Sequence, residues 1–122
     1  MAYKFKNGIP IYLQIIDELS ISIASGKYAP GDKLPSVREF AVDIGVNPNT
    51  LQRAFSTMES SMGIVHVDRT NGRYVTDDEK VLSELRTKLS KRYIEELVTR
   101  MRKLKMNDEE ILNAIKRWLE EV

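Results

Sequence analysis

The 122 residues include no cysteine, which excludes a disulfide framework and any thiolate metal site. Histidine is almost as scarce. His66 is the only one, with no acids clustered around it in sequence, so an imidazole-based metal centre has no ligands to complete it. Neither a metal nor another cofactor is expected. Long apolar runs are missing too. None approaches the roughly 18 residues that a membrane span needs, and the opening Met-Ala-Tyr-Lys-Phe-Lys-Asn-Gly lacks the apolar stretch of a secretory signal. The expectation is a cytoplasmic protein with no membrane partner. Nothing in the chain resembles a nucleophile elbow or a phosphate loop. No catalytic residue is assigned, and the chain is not expected to be an enzyme.

Charge of one sign is absent as well. The net charge is +1; residues 1–76 hold 8 basic and 7 acidic side chains, and residues 77–122 hold 11 of each. No bulk field draws this chain to nucleic acid. A nucleic-acid binder with such a balance has to cluster its cations locally and rely on specific contacts.

What is present centres on Leu34 to Phe55, which reads as two short helices joined by a tight turn. Ser36 precedes Val37, Phe40, Ala41 and Ile44, apolar at helical spacing, and Glu39 three residues on completes a capping-box pattern. Gly45 suits a left-handed cap that stops the helix. Asn47 is a good N-cap, and Pro48 suits the first helical position, where its missing N–H costs nothing. Leu51, Ala54, Phe55 and Met58 form the buried stripe of the second helix. Asn49, Thr50, Gln52 and Arg53 are left facing outward at its N-terminal end. Asn and Gln can pair with adenine and Arg with guanine in a DNA major groove, so the pattern is that of a helix-turn-helix. Two short capped helices also occur in domains that bind nothing, and the rest of the chain has to decide between these readings.

Before this stretch, Tyr3 to Ile9 is a short leading segment and Pro10 marks the first turn of a helix. Its broad apolar face comprises Ile11, Leu13, Ile15, Ile16, Leu19, Ile21, Ile23 and Ala24, and Gly26 ends it. After it, Ile64–Val67 is a β-branched run, Asn71-Gly72 is a strong hairpin signal, and Arg73–Thr76 is the returning strand. Helix, helix-turn-helix and hairpin in that order make a winged helix. The wing tip carries Arg69, Thr70, Asn71, Gly72 and Arg73, placed for groove or phosphate contacts. Asp77, Asp78 and Glu79 then suit the start of a helix. Leu82, Leu85, Leu89, Tyr93, Leu97, Met101 and Leu104 recur at steps of three or four over about seven turns. Asn107, with Glu110 three residues on, caps a last helix with the apolar face Ile111, Leu112, Ile115, Trp118, Leu119 and Val122. Two such stripes exceed what a small wing domain can cover, so they are expected to pair with a second copy; folding back on their own domain is the alternative.

The fold class is therefore mainly α with a small β-hairpin. Residues 1–76 form a winged helix-turn-helix DNA-binding domain, and residues 77–122 a two-helix dimerisation region. The expected dimer seam is Leu82, Leu85, Leu89, Tyr93, Leu97, Met101, Leu104, Ile111, Ile115, Trp118 and Leu119. The seam lined by Tyr93, Met101 and Trp118 leaves two alternatives open, a small apolar effector, unidentified, or none. Arg100, Arg102, Lys103 and Lys105 read as a solvated basic face.

Gly8-Ile9-Pro10-Ile11-Tyr12-Leu13-Gln14, Pro30-Gly31-Asp32-Lys33-Leu34-Pro35-Ser36-Val37-Arg38-Glu39 and Gly45-Val46-Asn47-Pro48-Asn49-Thr50 closely resemble bacterial GntR-type transcription regulators. The two-helix tail resembles the YtrA subfamily in length and helical pattern. The resemblance implies a homodimeric regulator, expected to be a repressor, on an inverted-repeat operator in double-stranded DNA. It also implies that Arg38 reaches DNA, that Ser36 caps its helix beside a phosphate, and that Asn47, Asn49, Thr50 and Gln52 meet bases and phosphates. Arg69 and Thr70 fall at the wing tip. Three departures stand out. The family's Gly-x-Gly-Thr-Phe-Val is here Thr70-Asn71-Gly72-Arg73-Tyr74-Val75. Asp68 replaces a commonly basic residue, where it either repels phosphate or pairs with Arg73 across the hairpin. Ser60-Ser61-Met62 lengthens the link to the wing by one residue. The near-neutral charge and altered tip leave one rival reading, a winged-helix protein-interaction module without DNA specificity. Steep salt dependence of duplex binding separates the two.

Overall fold

Pro10 has an extended backbone (ψ 136°), and helix α1 runs Ile11–Ala24 behind it. The proline thus stands just outside the helix rather than in its first turn, and its carbonyl accepts from the amides of Leu13 and Gln14. A computed structural model of the chain describes residues 4–121, so Tyr3 and Val122 of the sequence reading lie outside the described residues. The leading segment is tied down by one side chain. Gln14 accepts from the Lys6 amide at 2.7 Å and donates to the carbonyls of Lys6 and Ile9 at 3.0 and 2.9 Å. The apolar face of α1 is narrower than its eight candidates suggest. Ile15, Leu19 and Ile23 are buried, whereas Ile11 and Leu13 remain exposed, because eight apolar residues wrap further round a 14-residue helix than one contact face can cover.

Helix α2 (Val37–Ile44) starts on a complete capping box. Ser36 Oγ accepts from the Glu39 amide and Glu39 Oε1 from the Ser36 amide. Gly45 ends α2 in the left-handed region (φ 74°), donating back to the Ala41 carbonyl. Asn47 Oδ1 accepts from the Asn49 amide at 2.8 Å, and Pro48 is the first residue of helix α3 (Pro48–Ser60). Leu51, Ala54, Phe55 and Met58 of α3 are all fully buried, and α1, α2 and the wing pack against this helix. Phe40 and Phe55 bring their rings to 5.8 Å, and Tyr28 meets Phe40 edge-on at 6.1 Å.

The wing is an antiparallel hairpin of β1 (Val65–Asp68) and β2 (Gly72–Val75), with Val65 opposite Val75 and Asp68 opposite Gly72. Both strands therefore sit one residue from the expected bounds, and Arg69–Asn71 form a three-residue loop. The far edge of β2 is also occupied. Leu34 donates to the Arg73 carbonyl, Val75 to that of Asp32 and Gly31 to that of Val75, with Lys33 bridged to Tyr74.

Asp78 opens helix α4 (Glu79–Lys103), its carboxylate accepting from the Lys80 amide. Leu82 and Leu85 are buried at 2% and 5% exposure. The chain divides into two compact units between Arg86 and Thr87, inside α4 rather than before it. In the second unit, Lys105 takes a positive φ of 65° at the turn out of α4. Asn107 and Glu110 exchange side-chain-to-amide bonds at the start of helix α5 (Asp108–Glu121), as the sequence pattern anticipates. Arg102 pairs with Asp108 at 3.1 Å, both well exposed. Among the described residues, no helix is long and apolar enough to cross a membrane.

Candidate nucleic-acid interface

With Leu51, Ala54, Phe55 and Met58 facing inward, successive residues of α3 lie about 100° apart around its axis. Asn49 consequently points most directly outward, with Ser56 and Arg53 each about 30° to either side of that axis and Gln52 about 70° round on the Ser56 side. All four are exposed, and Thr50 is half-buried. The surroundings on the two sides differ. On one side Gln52 borders an open groove between α3, the start of α2 and the wing, lined also by Lys33, Ser36, Arg38, Asn71, Gly72 and Arg73. On the other side the Arg53 guanidinium lies 3.8 Å from the centre of the Tyr12 ring on α1.

The groove gathers three cations, Lys33, Arg38 and Arg73, from three parts of the chain against one carboxylate, Glu39, which is the local clustering that a near-neutral protein needs to attract a polyanion. Arg38 sits in the first turn of α2, exposed, next to the cap made by Ser36. Lys33 is carried in by its bridge to Tyr74 and packs close to the wing: a Cβ on Gly72 (φ 110°) would stand 3.3 Å from Lys33 Cε. Sequence reasoning missed Lys33, since the pairing that places it is non-local. Arg73 is half-buried, and its guanidinium leans toward Phe55 at 5.1 Å. It supports the wing base rather than projecting from the tip. Arg69 and Thr70 are exposed at the tip, as is Gly72 at the start of β2.

Asp68 does not pair with Arg73 in the way the sequence left open. Its Oδ1 accepts from the Thr70 amide at 3.0 Å and the Thr70 hydroxyl at 2.7 Å, and its Oδ2 from the Asn71 side-chain amide at 3.2 Å. The carboxylate is the internal brace of the wing turn, doing with hydrogen bonds what glycines do elsewhere with conformational freedom. These bonds, the Thr70 hydroxyl's first, hold its pKa below the ordinary aspartate value. Because the folded pKa is lowered, the brace is fully present above the unfolded value and is lost as pH falls through the folded one. A carbon-13 titration should place the Asp68 midpoint below the ordinary aspartate range, with the Thr70 amide resonance moving in step. A midpoint at or above about 3.9 would contradict this geometry. His66 stacks on Tyr74 (5.9 Å, 17°) on the hairpin face.

The family model for bacterial regulatory proteins of the gntR family matches residues 11–75, the span from the first residue of α1 to the last of β2. The chain belongs to the gntR family. Over 120 residues it is 41% identical to the uncharacterized HTH-type transcriptional regulator YhcF of Bacillus subtilis, with 98% of each chain covered. It is also 37% identical over 94 residues to the HTH-type transcriptional repressor YtrA of the same organism, covering 76% of this chain and 72% of that one. A GntR family transcriptional regulator from Listeria monocytogenes superimposes with a TM-score of 0.82 at 36% identity, covering 97% of this chain and 99% of the other. The DNA-binding domain of AraR, solved in complex with operator ORX1, matches with a TM-score of 0.55 at 27% identity, over 60% of this chain and 93% of that one. The gntR-family assignment, with its YtrA-like relationship, agrees with the winged helix and mainly helical fold described above.

The tail of this gntR-family regulator divides the expected seam residues into two groups. Leu82 and Leu85 fall in the first unit and are buried; periodicity identifies an apolar face but not what covers it. In the second unit Ile111 is buried, and Leu89, Met101 and Ile115 are half-buried. Tyr93, Leu97, Leu104, Trp118 and Leu119 remain exposed, the last three by 67–73%. Ile94 and Leu112, which the candidate seam omitted, are exposed by 55% and 66%.

Proposed function

We propose that this regulator binds a specific sequence of double-stranded DNA as a homodimer and represses transcription from an inverted-repeat operator in the cytoplasm. The observation that carries the reading is the exposed polar row of Asn49, Gln52, Arg53 and Ser56 on a helix whose opposite side is fully buried, beside a groove holding Lys33, Arg38 and Arg73. A helix so anchored presents its N-terminal half to a major groove at a defined depth. Within the groove Gln52 is placed to read a base edge, and Arg38, Lys33 and the capped start of α2 to hold the backbone. Ser36, Asn47, Asn49 and Thr50 fill the same docking surface, with Arg69, Thr70, Gly72 and Arg73 contributing from the wing. AraR's operator complex supports duplex DNA as the ligand, and the YtrA relative, named a repressor, supports the sign of regulation.

Dimerisation is assigned to the exposed apolar residues of the second unit. Six of them, Ile94, Leu97, Leu104, Leu112, Trp118 and Leu119, crowd a unit of only 36 residues, more than isolated surface hydrophobics account for. The DNA-binding part takes in residues 77–86 as well, because Leu82 and Leu85 belong to its core. Selection of bound sequences from a random duplex pool tests both halves of the proposal: it should return one motif, repeated with inverted symmetry at a fixed spacing. On the selected duplex, Arg38→Ala and Gln52→Ala should each weaken binding by about 1–3 kcal/mol, with the helical circular dichroism unchanged since both side chains are exposed. Unaltered affinity in both variants would place the recognition surface elsewhere.

A further inference from the structure

Gln52 and Arg53 are neighbours in sequence yet lie about 100° apart around α3, on either side of its outward axis, and their surroundings differ. Gln52 opens onto the groove with the cations of α2 and the wing. Arg53 turns toward α1, where its guanidinium carbon stands 3.8 Å above the centre of the Tyr12 ring. That distance lies well inside the roughly 6 Å over which an aromatic face attracts a cation. Tyr12 is itself well fixed. It is the second residue of α1, half-buried, on a helix packed along α3. Two residues further on, Gln14 clamps the leading segment through Lys6 and Ile9.

We propose that Tyr12 is a positioning residue that holds Arg53 as a backbone clamp on the α1 side of the recognition helix, gripping a DNA phosphate rather than reading a base. The inference rests on the DNA-binding reading above. Its chemistry follows from the shape of guanidinium. The ring holds the guanidinium carbon over its face and accepts none of its N–H groups in the ring plane, so the planar fork of donors remains to match two oxygens of a phosphate. The direction also matters. A base reader has to extend along the outward axis marked by Asn49, whereas the Tyr12 ring draws the Arg53 side chain away from that axis toward α1, and so toward the strand that borders the groove. The recognition helix is then held from both flanks, by Arg38 and Lys33 on the wing side and by Arg53 on the α1 side, with Gln52 and Asn49 between them at the bases.

The test uses the full chain, the selected duplex, a scrambled duplex of the same length, and isotherms at several potassium chloride concentrations. Arg53→Ala should weaken binding about tenfold on both duplexes alike and reduce the slope of log affinity against log salt by about one. Tyr12→Leu should weaken binding about two- to fivefold, again without regard to sequence, and should add nothing in the Arg53→Ala background. Tyr12→Phe, which keeps the ring, should bind as the unaltered chain does. Arg53→Lys keeps the charge and loses the planar stack. It should retain most of the salt slope while binding more weakly, and it tests the stack without touching α1 should Tyr12→Leu fold poorly. A changed base preference in Arg53→Ala with an unchanged slope would overturn the inference, as would additive losses for Tyr12→Leu and Arg53→Ala. If the unaltered chain shows no salt-dependent duplex binding at all, the DNA-binding reading itself falls, an outcome distinct from the failure of these variants.

Discussion

A chain ended at Arg86 is expected to fold and sediment as a monomer, whereas one ended at Thr76 is expected to lose most of its folded population. The difference lies in two side chains. Leu82 and Leu85 are 2% and 5% exposed and belong to the first unit, and truncating a buried leucine to alanine alone costs about 2–5 kcal/mol. Removing both, with the helix that carries them, consumes most of the roughly 5–15 kcal/mol by which a domain is stable. The longer fragment keeps this core and sheds the apolar residues assigned to the dimer. It should therefore retain its circular dichroism but bind only one half-site at a time. Losing the linked second half-site lowers operator affinity by roughly 10²–10⁴-fold. Sedimentation and operator titration of the two fragments check both statements. A fragment ending at Arg86 that remains dimeric at micromolar concentration would remove the tail from its assigned role.

Phe55→Ala should be the most damaging single substitution in the first unit, at about 3–5 kcal/mol. Phe55 is fully buried on α3, its ring lies 5.8 Å from that of Phe40 on α2, and the Arg73 guanidinium of β2 leans toward it at 5.1 Å. Recognition helix, supporting helix and wing thus meet on one ring. The cavity would lower the melting temperature by roughly 10 °C or more for a unit of this size, and it would free the wing to shift relative to α3. Operator binding should fall even at temperatures where the variant is still folded. Thermal denaturation together with binding at 10 °C distinguishes the two effects. A melting temperature within roughly 3 °C of the original would mean that this core can collapse around the loss.

Features set by neighbouring residues were legible in advance. Ser36 with Glu39, Asn107 with Glu110, Gly45 in the left-handed region and Asn47 before Pro48 each depend on atoms within a few residues of one another, so pattern and structure agree closely. What depended on distant chain was not legible. Leu82 and Leu85 share the spacing of the tail stripe, and nothing in that spacing says that the first unit claims them. Lys33 reaches the groove through pairing with Tyr74, and Arg53 meets Tyr12 across the α1–α3 packing. Both contacts close loops of about forty residues and leave no local mark. The wing turn is a different case. Its signal was local, but Asp68 was read against phosphate or Arg73, whereas its carboxylate organises the loop by accepting from Thr70 and Asn71.

Helix α4 passes without a break through the division at Arg86 and Thr87. Its amides bond to carbonyls four residues back along the helix. Melting either part alone would create a new helix end in mid-chain, with up to four carbonyls or amides stripped of partners. Opening α4 at any point along its length therefore carries a cost in helix-end hydrogen bonds that is independent of any side chain.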